Sequence, residues 1–286
     1  MTISPGVAEL VVLPIHSGGG TCVKQGTAGV TITGEQILMD TQDTLKAGSL
    51  SVIQTNVTDA KGVRTVTNGA GASFFQSTGL LAGATGRGDN LSPGSCAVYP
   101  IITGGAITEV GLDAGSITLT GPAGLAITLA PQYGGVKGNF GATLSAGVIP
   151  SGGTFTFNGS GGADVGPFTS TLTIANPNFN WTNPSAAATI DRTQGLLYTW
   201  SGGLPETYFL LGGTSTGALV TAGYSCKVAV EAGQFTVPPY ILLGLPAGSG
   251  GVSIEQHDTD STFSATGLDD GGVTAVIEYS VAATIK

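Results

Sequence analysis

The sequence predicts an all-β protein made of tandem immunoglobulin-like β-sandwich domains, on two features of composition and one of patterning. Gly supplies 48 of the 286 residues and Pro another 14, whereas Gly is about 7% of an average protein. Each interior Gly costs a helix about 1 kcal/mol relative to Ala, but Gly is readily placed in the turns and bulges of sheets. Apolar and polar residues also alternate in short runs between turn signals, which is typical of antiparallel strands.

Four hairpins are predicted from alternating runs that flank turn residues. The clearest run is the last, where Val273, Ala275 and Ile277 alternate with polar side chains. The paired segments are 50–58 with 63–67, 116–120 with 125–130, 154–157 with 168–174, and 261–266 with 273–285. Residues 35–47 lack Gly and Pro, but their apolar side chains fit one helical face poorly, so no long helix is expected.

Two passages rich in Gly, or in Pro and Asn, divide the chain into three predicted segments. They lie near residues 103–112 and 176–184, and such residues interrupt strands. The predicted segments are an N-terminal β-rich domain (1–108), an immunoglobulin-like β-sandwich (109–178) and a C-terminal immunoglobulin-like β-sandwich (179–286).

The charge balance excludes several classes of partner. Charged residues make up 9% of the chain and the net charge is −9, which argues against binding nucleic acid or an anionic membrane surface. The first residues are interrupted by Pro5, Gly6 and Pro14, so we expect neither a signal peptide nor membrane insertion here. Few charges also leave sheet edges poorly protected against pairing with other chains, which favours an assembled or surface-anchored protein.

Three cysteines are present, Cys22, Cys96 and Cys226, without the close spacing of zinc or dithiol redox sites. We predict a Cys22–Cys96 disulfide with Cys226 as a buried or free thiol. Three buried free cysteines are the alternative. The predicted location is secreted, either extracellular or at the cell surface, where disulfides persist.

Residues 213–217 match the GxSxG pattern of hydrolases around Ser215. That nucleophile needs a helix directly after the Ser and a nearby His. Here the following residues are broken by Gly, and the sequence holds only His16 and His257. We therefore predict a hairpin turn at this motif, no enzymatic activity and no cofactor.

Two further groups of residues suggest binding sites, each with a simpler alternative. Asp258 and Asp260 alternate in an extended segment and could offer oxygen ligands to Ca²⁺, or could form an acidic loop. Exposed aromatic rings can stack on sugar rings, whereas a buried Trp is typical of a sandwich core. The candidate stacking residues are Trp181, Trp200, Tyr208 and Tyr240.

A series of motifs follows in fixed order through the last two thirds of the chain. They occupy residues 159–168, 172–174, 181–183, 191–195, 199–203, 224–226 and 232–240. In this combination, residues 109–286 resemble a family of uncharacterised secreted proteins abundant in Acidobacteria. The resemblance implies export and tandem β-sandwiches. It implies no activity and therefore no catalytic residue.

Together these features predict an extracellular structural or adhesive protein that self-associates, or anchors at the cell surface, through its β-sandwich faces and edges. The expected partner is a second copy or a surface assembly. The alternative is a carbohydrate-binding module for cell-wall or plant polysaccharide, for which the four aromatic side chains would be the binding residues.

Overall fold

The computed structural model describes residues 44–59, 62–78, 91–101, 108–132, 134–149, 152–174, 179–205, 207–257 and 261–286. Strands account for 61% of the described residues and helical turns for 7%. The strands are β1 (Thr44–Thr58), β2 (Arg64–Thr78), β3 (Ser95–Ile101), β4 (Thr108–Gly111), β5 (Ile117–Thr120), β6 (Ala126–Thr128), β7 (Ala130–Pro131), β8 (Asn139–Thr143), β9 (Gly153–Gly159), β10 (Phe168–Ile174), β11 (Phe179–Trp181), β12 (Thr189–Ile190), β13 (Leu196–Gly202), β14 (Tyr208–Thr216), β15 (Thr221–Ala229), β16 (Gln234–Val237), β17 (Gly248–His257), β18 (Ser261–Thr262) and β19 (Asp270–Ile285). Among the described residues, helical structure is limited to one short α-helix, α1 (Pro239–Leu242), and the 3₁₀ turns Pro122–Gly124, Pro184–Ala187 and Val230–Ala232.

A twelve-stranded sheet forms the main layer of the molecule. Its strands follow the order β3-β15-β14-β17-β19-β1-β2-β8-β7, with β4, β12 and β18 paired beside this path. Its centre is the parallel pair β1–β19, in register from Ala47 opposite Asp270 to Thr58 opposite Val281. Hairpin neighbours such as β1–β2 and β14–β15 are antiparallel. The sheet therefore joins strands from the two ends of the described chain at its middle.

Two smaller sheets pack on one face of the large sheet. They have the strand orders β10-β9-β5-β6 and β11-β13-β16. In the first contact, the Phe168 ring of β10 lies 5.6 Å from that of Phe74 on β2. In the second, the Trp200 ring of β13 lies 5.3 Å from that of Phe209 on β14. One continuous cluster of buried side chains fills the space between the layers.

The alternation of apolar and polar residues explains why the large sheet has one buried and one open face. Along β1, Leu50, Val52, Gln54 and Asn56 are buried, while the residues between them are partly exposed. Side chains alternate between the two faces of a strand. The polar members of the buried row are satisfied in part, because Gln54 Nε2 donates to Asn68 Oδ1 at 2.9 Å.

The all-β prediction is confirmed, and the predicted hairpins are present. β1–β2, β5–β6 and β9–β10 pair around the expected turns, and β18 pairs with β19. Of residues 35–47, the last four, Thr44–Ala47, form the start of β1 rather than a helix. Residues 35–43 lie outside the described residues. The finer immunoglobulin-like topology stays a prediction.

Hydrogen bonding in the large sheet crosses both predicted segment boundaries. β1, β2 and β3 belong to segment 1–108, β7 and β8 to segment 109–178, and the remaining strands of its main path to segment 179–286. Strand β1 pairs with β19, and β3 pairs with β15. The three-segment division stays a prediction about the chain, but the segments share this sheet.

Candidate interaction edge

The strand β3 lies at one end of the twelve-stranded sheet. It pairs antiparallel with β15, from Ser95 opposite Lys227 to Ile101 opposite Thr221. Within the described ranges, β15 is its only strand neighbour. Its other edge is therefore the candidate site for contact with another chain.

The register of the neighbouring hairpin determines which β3 backbone groups face this open edge. The β14–β15 turn closes with the Gly217 N–H donating to the Val220 carbonyl at 2.9 Å. Residues of an antiparallel strand direct their backbone groups alternately to the two neighbours. Because Val220 is bonded to Gly217 on the β14 side, the even-numbered residues of β15 face β14 and the odd-numbered residues face β3. Ala97 and Tyr99 of β3 lie opposite odd-numbered residues of β15, so their backbone groups are directed toward β15. The N–H and C=O groups of the even-numbered β3 residues point away from β15.

Three residues consequently present backbone groups at the open edge: Cys96, Val98 and Pro100. Cys96 lies opposite Cys226 with a Cα–Cα distance of 4.0 Å, in keeping with a non-hydrogen-bonded pair. Pro100 has no N–H, and Pro is accepted in a strand where that position faces outward. The edge therefore offers full donor and acceptor pairs at Cys96 and Val98, and an acceptor only at Pro100.

The structure corrects the predicted disulfide, because Cys96 is bonded to Cys226. A Cys22–Cys96 bridge is excluded in this arrangement, since each sulfur forms one such bond. The sequence interpretation failed because the partner cysteines are 130 residues apart and become neighbours only when β3 pairs with β15. Cys22 lies outside the described residues. The observed bridge fastens the edge strand to the sheet.

An apolar groove of about 370 Å³ runs beside the open edge. Its lining comes from β3, from β15 and its preceding turn, and from the segment after α1: Val98, Tyr99, Pro100, Val220, Ala222, Gly244, Leu245 and Pro246. Gly244 is needed for this close packing, since a Cβ there would lie 2.8 Å from Val98 Cγ1. Val98 stays 38% exposed despite this contact, and Leu219 at the hairpin tip is 99% exposed. None of the described residues that line the groove is charged.

The open face of the large sheet is polar and built from small side chains. A shallow depression of about 490 Å³ crosses β1, β2 and β8, and no charged side chain lines it. Ser49, Ser51 and Thr55 contribute to its floor, with Gly69 and Gly71 beside them. Its lining offers hydroxyl, amide and backbone groups.

Two carboxylates lie together farther along this face. Glu255 of β17 is directly opposite Glu278 of β19. Burial raises the pKa of Glu278, and the neighbouring Glu255 charge raises it further. A hydrogen bond connects Ser253 Oγ to Glu255 Oε1 at 3.0 Å. Like charges in directly opposed positions destabilise a sheet, so this pair is an unfavourable feature of the face.

The tryptophans predicted as sugar-stacking candidates are core residues. Trp181 is 3% and Trp200 6% exposed. Trp181 stacks on Tyr198 with ring centroids 5.2 Å apart, and Trp200 Nε1 donates to the Val230 carbonyl at 2.8 Å. Their burial corrects the stacking prediction, because interior rings cannot contact a polysaccharide.

The two tyrosines of that prediction differ from each other. Tyr208 is half-buried, and Lys227 Nζ lies 3.8 Å from its ring centroid. Tyr240 is 52% exposed in α1. With both tryptophans in the interior, the four aromatic side chains form no common stacking surface.

Ser215 lies inside β14 rather than in a turn, which corrects the predicted hairpin position at residues 213–217. The turn follows at residues 217–220. Ser215 is fully buried, and its Oγ donates to the Pro246 carbonyl at 2.6 Å. Its hydroxyl is therefore used in packing and is inaccessible to a substrate.

The predicted calcium residues Asp258 and Asp260 lie outside the described residues. Near them, Asp269 Oδ2 accepts from the Lys46 N–H at 2.8 Å, so this carboxylate fastens a loop to β1. The described residues contain no group of three or more His, Cys, Asp or Glu suited to a metal ion. In the same part of the chain, no helix combines the length and apolar character needed to span a membrane.

Sequence analysis did not identify the β3 edge, although one signal for it was present. Residues 95–101 read as an apolar strand interrupted by Pro100, and Pro in a strand is a mark of an edge position. The groove could not have been found this way, because its walls come from three separated parts of the chain.

No family model matches the chain, and no curated protein matches it. One solved structure, titled "Structural insight into host cell surface retention of a 1.5-MDa bacterial ice-binding adhesin", is 11% identical with a TM-score of 0.22. The match covers 85% of this chain and 65% of that one, so this chain spans less than two thirds of its length.

A second match is titled "Crystal structure of tetra-tandem repeat in extending region of large adhesion protein". It is 12% identical with a TM-score of 0.23, and the match covers 84% of this chain and 74% of that one.

Proposed function

We propose that this protein is a non-catalytic structural or adhesive protein of the extracellular space or cell surface, acting by association with other protein chains. The observation that carries the proposal is the β3 edge, whose outward backbone groups have no strand partner among the described residues and lie beside an apolar groove. Strand addition to such an edge gives affinity through main-chain hydrogen bonds. The predicted partner is a second copy of the chain.

The composition of the edge supports this role. Natural sheets protect exposed edges with Lys, other charges or Pro. Here β3 contains no charged residue, and Pro100 removes one donor only. The edge is thus poorly protected where Cys96 and Val98 present their backbone groups.

The disulfide supports the proposed location. Bonds of this kind persist in oxidising compartments and are rare in the cytosol. Cys96 and Cys226 are both buried, and their bridge holds the edge strand in place. An extracellular protein would keep this bridge throughout its working life.

The burial of both candidate tryptophans disfavours the polysaccharide-binding alternative. An aromatic platform needs exposed rings, and the remaining candidates, Tyr208 and Tyr240, supply no paired surface.

Sedimentation velocity of the oxidised full chain, over a wide concentration range, tests the proposal. We expect a concentration-dependent shift to larger species. Added salt should strengthen it, because screening reduces repulsion between chains of net charge −9. A monomer at every concentration and salt level would contradict the proposed self-association.

A further inference from the structure

We propose that two copies of the chain pair antiparallel through β3 about a two-fold axis at Val98. This inference rests on the proposed function and specifies the surface and register of the association. The two large sheets would join into one continuous sheet. Closed two-fold dimers are the commonest symmetric assemblies, and each copy contributes the same surface.

The pattern of free backbone groups suits this register. With Val98 opposite Val98 of the second copy, each Val98 N–H donates to the other Val98 carbonyl. Two residues away, the Cys96 N–H of each copy donates to the Pro100 carbonyl of the other. Pro100 has no N–H to return, so the pairing is complete at the axis and weaker at its ends.

Other registers do not improve on this pairing. Centring the two-fold axis on Pro100 would place two residues without N–H groups opposite each other. Centring it on Ala97 would pair Cys96 with Val98 of the second copy and use as many free donors, but it would set each exposed Val98 side chain opposite the buried Cys96. The register centred on Val98 uses the same number of donors and brings the two exposed Val98 side chains together.

Side chains at the edge also favour a second copy. Val98 points to the same face of the sheet as Cys96, toward the groove. A two-fold axis perpendicular to the sheet keeps both grooves on one side, so the Val98 side chains would meet and cover each other. Because β3 contains no charged residue, two identical edges meet without local like-charge repulsion.

The test replaces outward-facing residues of β3, which leaves the β3–β15 hydrogen bonds in place. Val98→Pro removes the donors at the axis and should raise the dimer Kd at least about tenfold, since each hydrogen bond contributes a modest net free energy. Pro100→Val adds donors for the Cys96 carbonyls and should lower the Kd by about tenfold. Opposite effects from two substitutions on one strand are specific to edge pairing.

The matched control is Val136→Ser, which removes an exposed apolar side chain beside β8, near the other end of the large sheet. Its Kd should equal that of the unaltered chain. Far-ultraviolet circular dichroism and the thermal midpoint verify folding of each variant. If Val98→Pro does not fold, Val98→Lys serves instead, because it places two like charges at the axis and should also weaken the dimer.

Each outcome separates the two proposals. Association that weakens with Val98→Pro or Val98→Lys and strengthens with Pro100→Val supports pairing through β3. If the unaltered chain associates and every folded variant associates equally well, the β3 pairing is overturned, but the proposed self-association stands. An unaltered chain that stays monomeric at every concentration and salt level overturns both proposals.

Discussion

Removing the disulfide should strongly destabilise the protein, and the expected size follows from the chain separation. Cys96 and Cys226 are 130 residues apart. Closing a loop of that length in the unfolded chain corresponds to about 5 kcal/mol of stabilisation in the chain-entropy model. The double variant Cys96→Ala, Cys226→Ala should therefore lose about 4–5 kcal/mol of unfolding free energy.

Guanidinium denaturation of the oxidised protein, followed by tryptophan fluorescence, measures this loss. The buried Trp181 and Trp200 report on the core between the sheets. The slope of unfolding free energy with denaturant should also rise in the double variant, because its unfolded state is less compact and exposes more surface.

Cys22 provides the matched control for the disulfide pairing. Cys22→Ser should leave the denaturation midpoint unchanged, whereas Cys226→Ala should lower it. A large effect of Cys22→Ser with no effect of Cys226→Ala would show that Cys96 pairs with Cys22 and would refute the reasoning. Equal stability of the double variant and the unaltered protein would refute the entropic magnitude.

Three further predictions concern buried or partly buried side chains. Trp200→Phe should lower the unfolding free energy by about 1 kcal/mol or more, since it removes the shorter of two hydrogen bonds to the Val230 carbonyl, which keeps only the Gly233 N–H at 3.3 Å, and shrinks a buried side chain. Unchanged stability together with lost polysaccharide binding would instead indicate an exposed platform. Gln256 is buried, and neither its Nε2 nor its Oε1 has a hydrogen-bond partner among the described residues. Gln256→Met should therefore raise the unfolding free energy by about 1 kcal/mol or more, measured by guanidinium denaturation. A lower unfolding free energy would mean that the amide is hydrogen-bonded. Burial and the neighbouring Glu255 raise the folded-state pKa of Glu278, so the Glu278 carboxylate destabilises the fold most above that pKa, and the destabilisation fades as the pH falls. Glu278→Gln should therefore stabilise the protein most at neutral pH and least near pH about 4. Denaturation series at several pH values test this, and a stability gain that does not change with pH would contradict it.

Local parts of the fold could be predicted because their signals lie close together in the chain. The β1–β2 turn at Asp59 and Gly62, for example, separates two alternating runs. The parallel β1–β19 pair could not be predicted, since its register joins residues more than two hundred positions apart. Alternation indicates which face of a strand is buried but not which strand lies beside it.

The candidate site was less predictable than the fold. Its backbone donors at Cys96 and Val98 are defined by hydrogen-bond parity, which requires knowing that β15 is the neighbour. The Cys96 partner was predicted wrongly for the same reason. Trp200 was open to two interpretations, because sequence alone does not reveal whether an aromatic ring faces the core or solvent.

The central position of β19 has a consequence for how the chain acquires its structure. Its residues 270–285 separate β1 from β17 in the sheet, so the strands made first have no permanent neighbour on that side until nearly the whole described chain has been synthesised. Such distant pairing slows folding, so local hairpins such as β1–β2 can form early, whereas the two parts of the large sheet join through β19 only at this late stage.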